Sequence, residues 1–521
     1  MNNHIQAPVR RTLVLLVAAG LLATACSGGA GTASPTRAPS VAPTVAATGT
    51  PTAPSSGTPT ASSVAPTASP SSAPSATATD APSASPTEAP STSASVSPPA
   101  SPASATYEAC ASAATAPITL TEWDQEVREG IGPSIDQLEA EFMAANPGVT
   151  ITRTSKSFDD LKATLLQALQ DPSGPDIAQV NQGRPDMGTA VQGGLLVPLT
   201  PYLTKYGWDQ RWGQGVHARN SFSEDGKTFG QGNVYGVSVT GEVVGLYYNK
   251  EKYTALSLSE PKSWDEFMTQ LQSIKDAGET PIEFGDQGGG GSIQVYGSIL
   301  ETMLDRKSLD DFIFGNEGAS FDTPEATTAA ETLLSLVDKG YLTDGYAGIK
   351  IDDAAVAFGG GDGVYFWGGS WYGAGLTESG GEKFGFMRTP PQAAGGSALS
   401  IGGVGLPWSI SKNSKNPECA AALLDYLTGD HAMELVAAKG VLPSHAAANA
   451  VGPGDLFNAL SAAFGDANGK DEVGHYLDWA FAGGYDTFNA ELAKLLAKQS
   501  EPAAFAKAID TAYQEFLGSL K

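Results

Sequence analysis

The chain has 521 residues, with 30 Lys and Arg against 56 Asp and Glu, a formal net charge of −26 and a sequence pI near 4.5. An acid excess on that scale excludes a partner held through nucleic-acid phosphates and docking by charge onto an anionic lipid surface. Its ordinary use is solubility, and the length suits two domains of comfortable size better than one.

The first element is a leader. Arg10 and Arg11 precede an apolar run over 13–22 and small residues up to Cys26. That run is too short to span a bilayer and has the pattern of a secretory signal. Leu21-Leu22-Ala23-Thr24-Ala25-Cys26 resembles a bacterial lipoprotein lipobox. The expectation is therefore a signal peptide over 1–25, with lipid-modified Cys26 holding the chain on the outer face of the membrane. Residues 26–110 read as a linker. From Ser27 to Thr106 it is Ala, Pro, Ser and Thr almost throughout, charged only at Arg37, Asp80 and Glu88. Too few large apolar groups are present to offset the ordering entropy, so a disordered stalk is expected, a coil of roughly 50 Å. Its composition also suits O-glycosylation.

Residues 111–521 carry the folded part, reading as alternating strand and helix. A strand is predicted over 117–123 and a helix over 134–145, where Ile135, Leu138 and Phe142 recur at helical spacing before Asn146-Pro147-Gly148 ends it. A strand over 149–152, a helix over 158–169 and a strand over 175–180 complete a parallel α/β pattern. Further on come an apolar strand over 244–248, a helix over 263–277 with Ser263 as its cap, a helix over 323–339, and two C-terminal helices divided near Pro502. Once Cys26 is taken by lipid, Cys110 and Cys419 remain as an even pair in an oxidising location, available for a disulfide.

Several tracts together carry a resemblance. They are Phe142-Met143-Ala144-Ala145-Asn146-Pro147-Gly148-Val149, Gly174-Pro175-Asp176-Ile177, Gly194-Leu195-Leu196-Val197-Pro198-Leu199, Gly245-Leu246-Tyr247-Tyr248-Asn249-Lys250, Pro261-Lys262-Ser263-Trp264-Asp265-Glu266-Phe267, the segment 357–371, and 405–415 followed by a helix over 417–427. In that order and spacing the chain resembles the bacterial extracellular solute-binding proteins of family 1, the maltose-binding-protein-like receptors that deliver sugars to ABC importers. The resemblance implies a two-lobe, hinged α/β fold of the periplasmic-binding-protein type II class, closing on ligand like a clamp. By analogy the chain crosses between lobes near 239–243, returns around 398–403 and leaves again after Pro443. Lobe one then holds about 118–239 with 400–443, and lobe two about 240–399 with 444–521. Cys110 and Cys419 fall in the same lobe on that assignment.

A neutral sugar needs flat apolar groups under its C–H faces and planar polar groups around its hydroxyls. Trp371 follows Gly369 and Ser370 where the family commonly stacks an aromatic on sugar. Trp367 and Tyr365 alternate with Phe366 on a strand, so one face would look into the cleft. Gly403 and Trp408 belong to the returning segment that often lines it. Glu242 stands in the first crossing, where maltose-type members use an acid on sugar hydroxyls. Trp123, Asp124 and Glu126 end the first strand, Asn181 and Gln182 follow the third with Asp186 beyond them, and Asp286 and Gln287 precede four glycines in lobe two. Core packing is the ordinary alternative for each tryptophan, and a solvated hinge carboxylate that for Glu242.

No G-x-S-x-G, G-x-x-x-x-G-K-[ST] or G-x-G-x-x-G tract occurs, and the histidines show no H-E-x-x-H. The reading is a non-enzymatic, monomeric carbohydrate-binding component with no cofactor and no metal. Its partners are the sugar, a permease encoded elsewhere, and the membrane through Cys26. A polyamine or polyol is the alternative ligand, because Glu242, Asp124 and Asp286 would suit an amine. An extracellular glycoside-acting enzyme is the third reading.

Overall fold

The computed structural model describes residues 106–521; the signal peptide, Cys26 and all but the end of the proposed stalk lie outside the described residues. Two sheets organise the chain. The first has the order β11-β3-β1-β2, built from β1 (Ile118–Asp124), β2 (Val149–Ser155), β3 (Ile177–Gln179) and β11 (Trp408–Ile410). β1 runs parallel to β2 from Ile118 opposite Val149 to Asp124 opposite Ser155, and parallel to β3; β11 is antiparallel to β3. Ile118 and Leu120 are buried in β1 while Thr119 between them is exposed. That alternation seats one face on the helix Ile131–Ala145, whose Ile135, Leu138 and Phe142 are wholly inaccessible.

This helix starts earlier than its polar pattern predicts. Ser134 does not cap it; its hydroxyl donates back to the Gly130 carbonyl at 2.6 Å inside the first turn, and buried Ile131 opens the helix. At its far end Gly148 has φ 93°, and a Cβ there would stand 2.2 Å from the Ala113 carbonyl oxygen, so the turn requires glycine. The helix Phe158–Gln170 is capped by Ser157, and Trp264–Asp276 by Ser263, whose hydroxyl accepts from the Glu266 amide at 3.3 Å.

A short antiparallel pair, β4 (Ser221–Phe222) with β5 (Asn233–Val234), precedes the second sheet. That sheet has the order β10-β6-β8-β7, with β9 also on β6. Its strands are β6 (Gly241–Asn249), β7 (Ile282–Glu283), β8 (Tyr365–Gly369), β9 (Phe384–Met387) and β10 (Gly402–Val404). β6 is antiparallel to β8, β9 and β10, and only β7 and β8 run parallel. Every residue of β8 is buried, because Phe366 packs on Phe358 of the helix Ile351–Gly360 while Tyr365 and Trp367 pack on Phe267 from the opposite side.

The two sheets are joined where three stretches of backbone lie side by side. Residues 237–243 run in the middle. On one flank the Gly405 amide donates to Thr240 at 2.8 Å, and Val237 and Trp408 exchange amide bonds. On the other, the Gly241 amide donates to Leu442 at 2.8 Å and the Ser444 amide to Val239 at 3.1 Å. This ribbon of crossings is the sole covalent continuity between the sheets among the described residues.

The start of the described chain is fastened to the first sheet's side. Cys110, in the 3-10 turn Glu108–Ala114, is disulfide-bonded to Cys419 of the helix Pro417–Leu427 with 4.9 Å between Cα atoms. The Tyr107 hydroxyl donates to Asp425 at 2.8 Å, and Trp208 Nε1 and Arg211 converge on the same carboxylate. The bond spans 309 residues. Replacing Cys110 and Cys419 together by serine should therefore lower unfolding stability by about 2–4 kcal/mol in urea titration. Reductant should shift the native protein's midpoint equally and leave the double variant unmoved.

Candidate functional site

The carboxyl ends of β1 and β3, the opening of β6, the segment after β8 and residues 475–486 meet between the lobes. The sequence-predicted residues divide among three surroundings there. Asp124, fully buried, is occupied by Arg153, whose Nε and Nη2 reach its two oxygens at 2.8 and 2.9 Å, while the Glu126 amide donates to it at 2.7 Å. It shapes the strand end rather than facing a solute. Trp367 and Trp408 are each 1% exposed: Trp367 packs among Trp264 and Phe267, and Trp408 pairs with Gln179 and Val237 in the first core. Gly403 has φ 120°, and Arg219 lies across its bare α-carbon, so that a Cβ would stand 2.0 Å from Nη1. Arg219 in turn donates to the carbonyls of Val473 and Gly474 at 3.1 and 2.9 Å, and to Gly402. Gln182 donates to the Val404 and Gly405 carbonyls, tying the loop after β3 to the crossing. Asp286 lies further off in the second lobe, where it accepts the Ser292 amide and borders a groove of about 440 Å³ with Tyr346 and Asn489.

Glu126, Glu242, Asn181, Asp186, Trp123 and Trp371 remain at the meeting of the lobes. Glu126 accepts from the Gln179 amide group at 2.7 Å, and Glu242 accepts from the Tyr476 hydroxyl at 2.8 Å. Burial pushes the Glu242 carboxyl up to about 7 despite the Tyr476 bond, with the Glu126 charge adding to the rise. Trp371 is only partly covered, its ring folded over Gly369, where a Cβ would clash at 2.0 Å. Trp123 carries the Lys156 ammonium 3.6 Å above its ring.

Five participants lacked any periodic signal in the sequence: Arg128, Lys162, Tyr476, Asp478 and Tyr485. Arg128 reaches Asp352 of the opposite lobe at 3.3 Å, and Asp352 also accepts from Tyr372 at 2.7 Å. Lys162 reaches Asp486 at 3.4 Å and lies 3.8 Å over the Tyr485 ring, with Phe158 6.0 Å from that ring. Tyr476 and Asp478 sit beside Trp479, which packs on Gly183. The clue available in the sequence was composition alone: His475-Tyr476-Leu477-Asp478-Trp479 interleaves rings with an acid. The site thus runs from Arg128, Tyr372 and Trp371, through Glu126, Glu242 and Tyr476, to Asp186, Asp478 and Lys162. It brings together carboxyls, an amide and aromatic rings.

A model of the bacterial extracellular solute-binding protein family matches residues 128–434. The multiple sugar-binding protein of Streptococcus mutans is 24% identical over 340 residues, covering 62% of this chain and 76% of that one. A solved chitin oligosaccharide binding protein superposes with a TM-score of 0.67 at 21% identity, covering 77% of this chain and 99% of its own. The GacH receptor of Streptomyces glaucescens, whose structures include an acarbose complex, superposes with a TM-score of 0.63 at 20% identity over 77% and 99%. The shared fold is the two-lobe α/β architecture expected from the sequence.

Glu242 makes the site's electrostatics measurable. Its folded value of about 7 stands above the ordinary 4.5. Between those values the folded chain holds a proton that the unfolded chain releases. The contribution is full below about pH 4.5 and is lost as pH rises through about 7. Glu242→Gln should match the native unfolding stability near pH 4.5 and exceed it at pH 8, by on the order of 3 kcal/mol. Parallel pH profiles for the two proteins would refute the assignment.

Proposed function

Because the chain belongs to the bacterial extracellular solute-binding proteins, we propose that it captures a carbohydrate between its two lobes and delivers it to the permease of an ABC importer. The observation that carries this reading is the pairing of hydroxyl-reading groups from both sides of the crossing, Glu126 with Gln179 and Glu242 with Tyr476, beside the half-covered ring of Trp371. Stacking holds the sugar's apolar face and the carboxyls and amides read its hydroxyls. The sugar-binding relative and the oligosaccharide receptors of like fold support the same ligand class.

Closure follows from magnitudes. Two of the contacts that bridge the lobes, Arg128 with Asp352 and Lys162 with Asp486, each involve an aspartate largely open to solvent. Pairs of that kind contribute about 0–1 kcal/mol. Buried Arg184 and Arg219 add hydrogen bonds to the carbonyls of Phe314, Val473 and Gly474, so the solute shifts the equilibrium by what it adds to these contacts when the lobes close. Capture is reversible and involves no bond cleavage. On this reading the protein works as a monomer at the extracellular face of the membrane, tethered through Cys26 by residues 26–110, which holds it at high local concentration beside the permease.

A thermal-shift screen of the purified protein against mono-, di- and oligosaccharides tests this. A saccharide should raise the melting temperature by several degrees. Trp371→Ala should weaken that ligand about tenfold or more while the unliganded melting temperature stays close to native. Prolonged incubation should return the sugar uncleaved. A response confined to polyamines or polyols, or conversion of a glycoside, would displace the reading.

A further inference from the structure

Resting on the carbohydrate reading, we propose that the preferred ligand is an amine-bearing saccharide whose ammonium group seats between Asp186 of the first lobe and Asp478 of the second. Asp186 stands in the π-helical turn Arg184–Gly188 that follows β3, and Asp478 in the 3-10 turn Leu477–Ala480. The two turns pack against each other across the lobes, with Gly183 directly on Trp479. The two residues are 8% and 6% exposed, and Asp478 lies in the field of Asp186. One side of Asp186 is served by the Asn181 side chain; its Oδ2 is buried and has no hydrogen-bond partner among the described residues.

Closing two acids onto each other without a counter-charge opposes closure. Among the described residues no cation of the protein pairs directly with either carboxyl, although the Lys162 charge favours the ionised form of both from a distance. Lys162, the nearest, is engaged with Asp486 and the Tyr485 ring. Arg184, two residues from Asp186, turns away to the carbonyls of Lys227 and Phe314 at 2.9 Å each. Burial accordingly pushes Asp186 up to about 6 and Asp478 up to about 7. A ligand ammonium donating to both carboxylates supplies a direct charge partner at a place where the lobes meet, and Tyr485 and Tyr476 flank it with rings for the sugar body. An anionic sugar meets the same acids as repulsion.

The test is calorimetric titration of the purified protein at pH 6.5 with matched oligosaccharides. The set comprises a 2-amino-2-deoxy series, its N-acetylated counterpart, the neutral series of the same linkage, and a uronate, with spermidine as a cation lacking the sugar. The free amine should bind at least tenfold more tightly than the N-acetylated and neutral forms, and the uronate weakest. Asp478→Asn and Asp186→Asn should each reduce the preference for the amine to below threefold, with melting temperatures recorded to confirm folding. The native protein's selectivity decides the matter even if a variant misfolds. Neutral sugars binding as well as or better than the amine would overturn this inference and leave the carbohydrate reading standing. Spermidine binding as tightly as the amino sugar, or no saccharide binding at all, would overturn both.

Discussion

Three strips of backbone, hydrogen-bonded edge to edge around residues 237–243, are what the rest of the molecule depends on. Each lobe has its own sheet, while one buried cluster runs from Leu165 and Val180 of the first to Ile299 and Phe321 of the second, and the strands of the two sheets diverge from this shared ribbon. β6 shows the arrangement most directly: its first residues pair with β10 at the crossing, and its last pair with β9 well inside the second sheet. A strand that belongs to a hinge at one end and a core at the other transmits rotation without stretching. Arg219 and Gln182 reinforce the ribbon from the first lobe by donating to carbonyls of the returning segment and of residues 473–474. Glu242 stands on the ribbon itself, so a group touching it touches the axis about which the lobes turn.

The electrostatics are arranged around the same axis. The chain's overall acidity is spread over its surface, but its consequential part is a short series of buried carboxyls, each treated differently by its neighbours. Asp124 is neutralised by a bidentate arginine and becomes part of the scaffold. Glu126 and Glu242 have amide or hydroxyl partners and retain capacity to accept more. Asp186 and Asp478 have the least compensation, and they belong to opposite lobes. Compensation thus falls from Asp124, through Glu126 and Glu242, to Asp186 and Asp478.

How much of this was legible in the sequence depends on what kind of signal each part leaves. The helix faces at Ile135, Leu138 and Phe142 and the cap at Ser263 are local and periodic, and the elements formed close to where those patterns place them. Trp367 shows the opposite case. Alternation along β8 implied one open face, but helices cover both sides of that strand, one just before it in the chain and the other, carrying Trp264 and Phe267, far away in sequence. Gly403 reads as a cleft glycine until Arg219, distant in sequence, is placed on it. Tyr476 and Asp478 lie in an irregular segment, where no periodicity exists to be read and only tertiary contact shows which way a side chain points. The family resemblance implied two lobes and singled out the tryptophan after β8; the electrostatic partners had to come from the fold.

The fastening of Tyr107 and Cys110 has a mechanical meaning. The chain enters the folded part on the first lobe, and it is gripped there by a covalent bond and by a carboxylate shared among three side chains. A pull on the preceding residues is therefore taken up by that lobe's helix Pro417–Leu427 before it reaches the crossing strips. The second lobe lies beyond that fastening, so a load on the preceding residues reaches it only through the first.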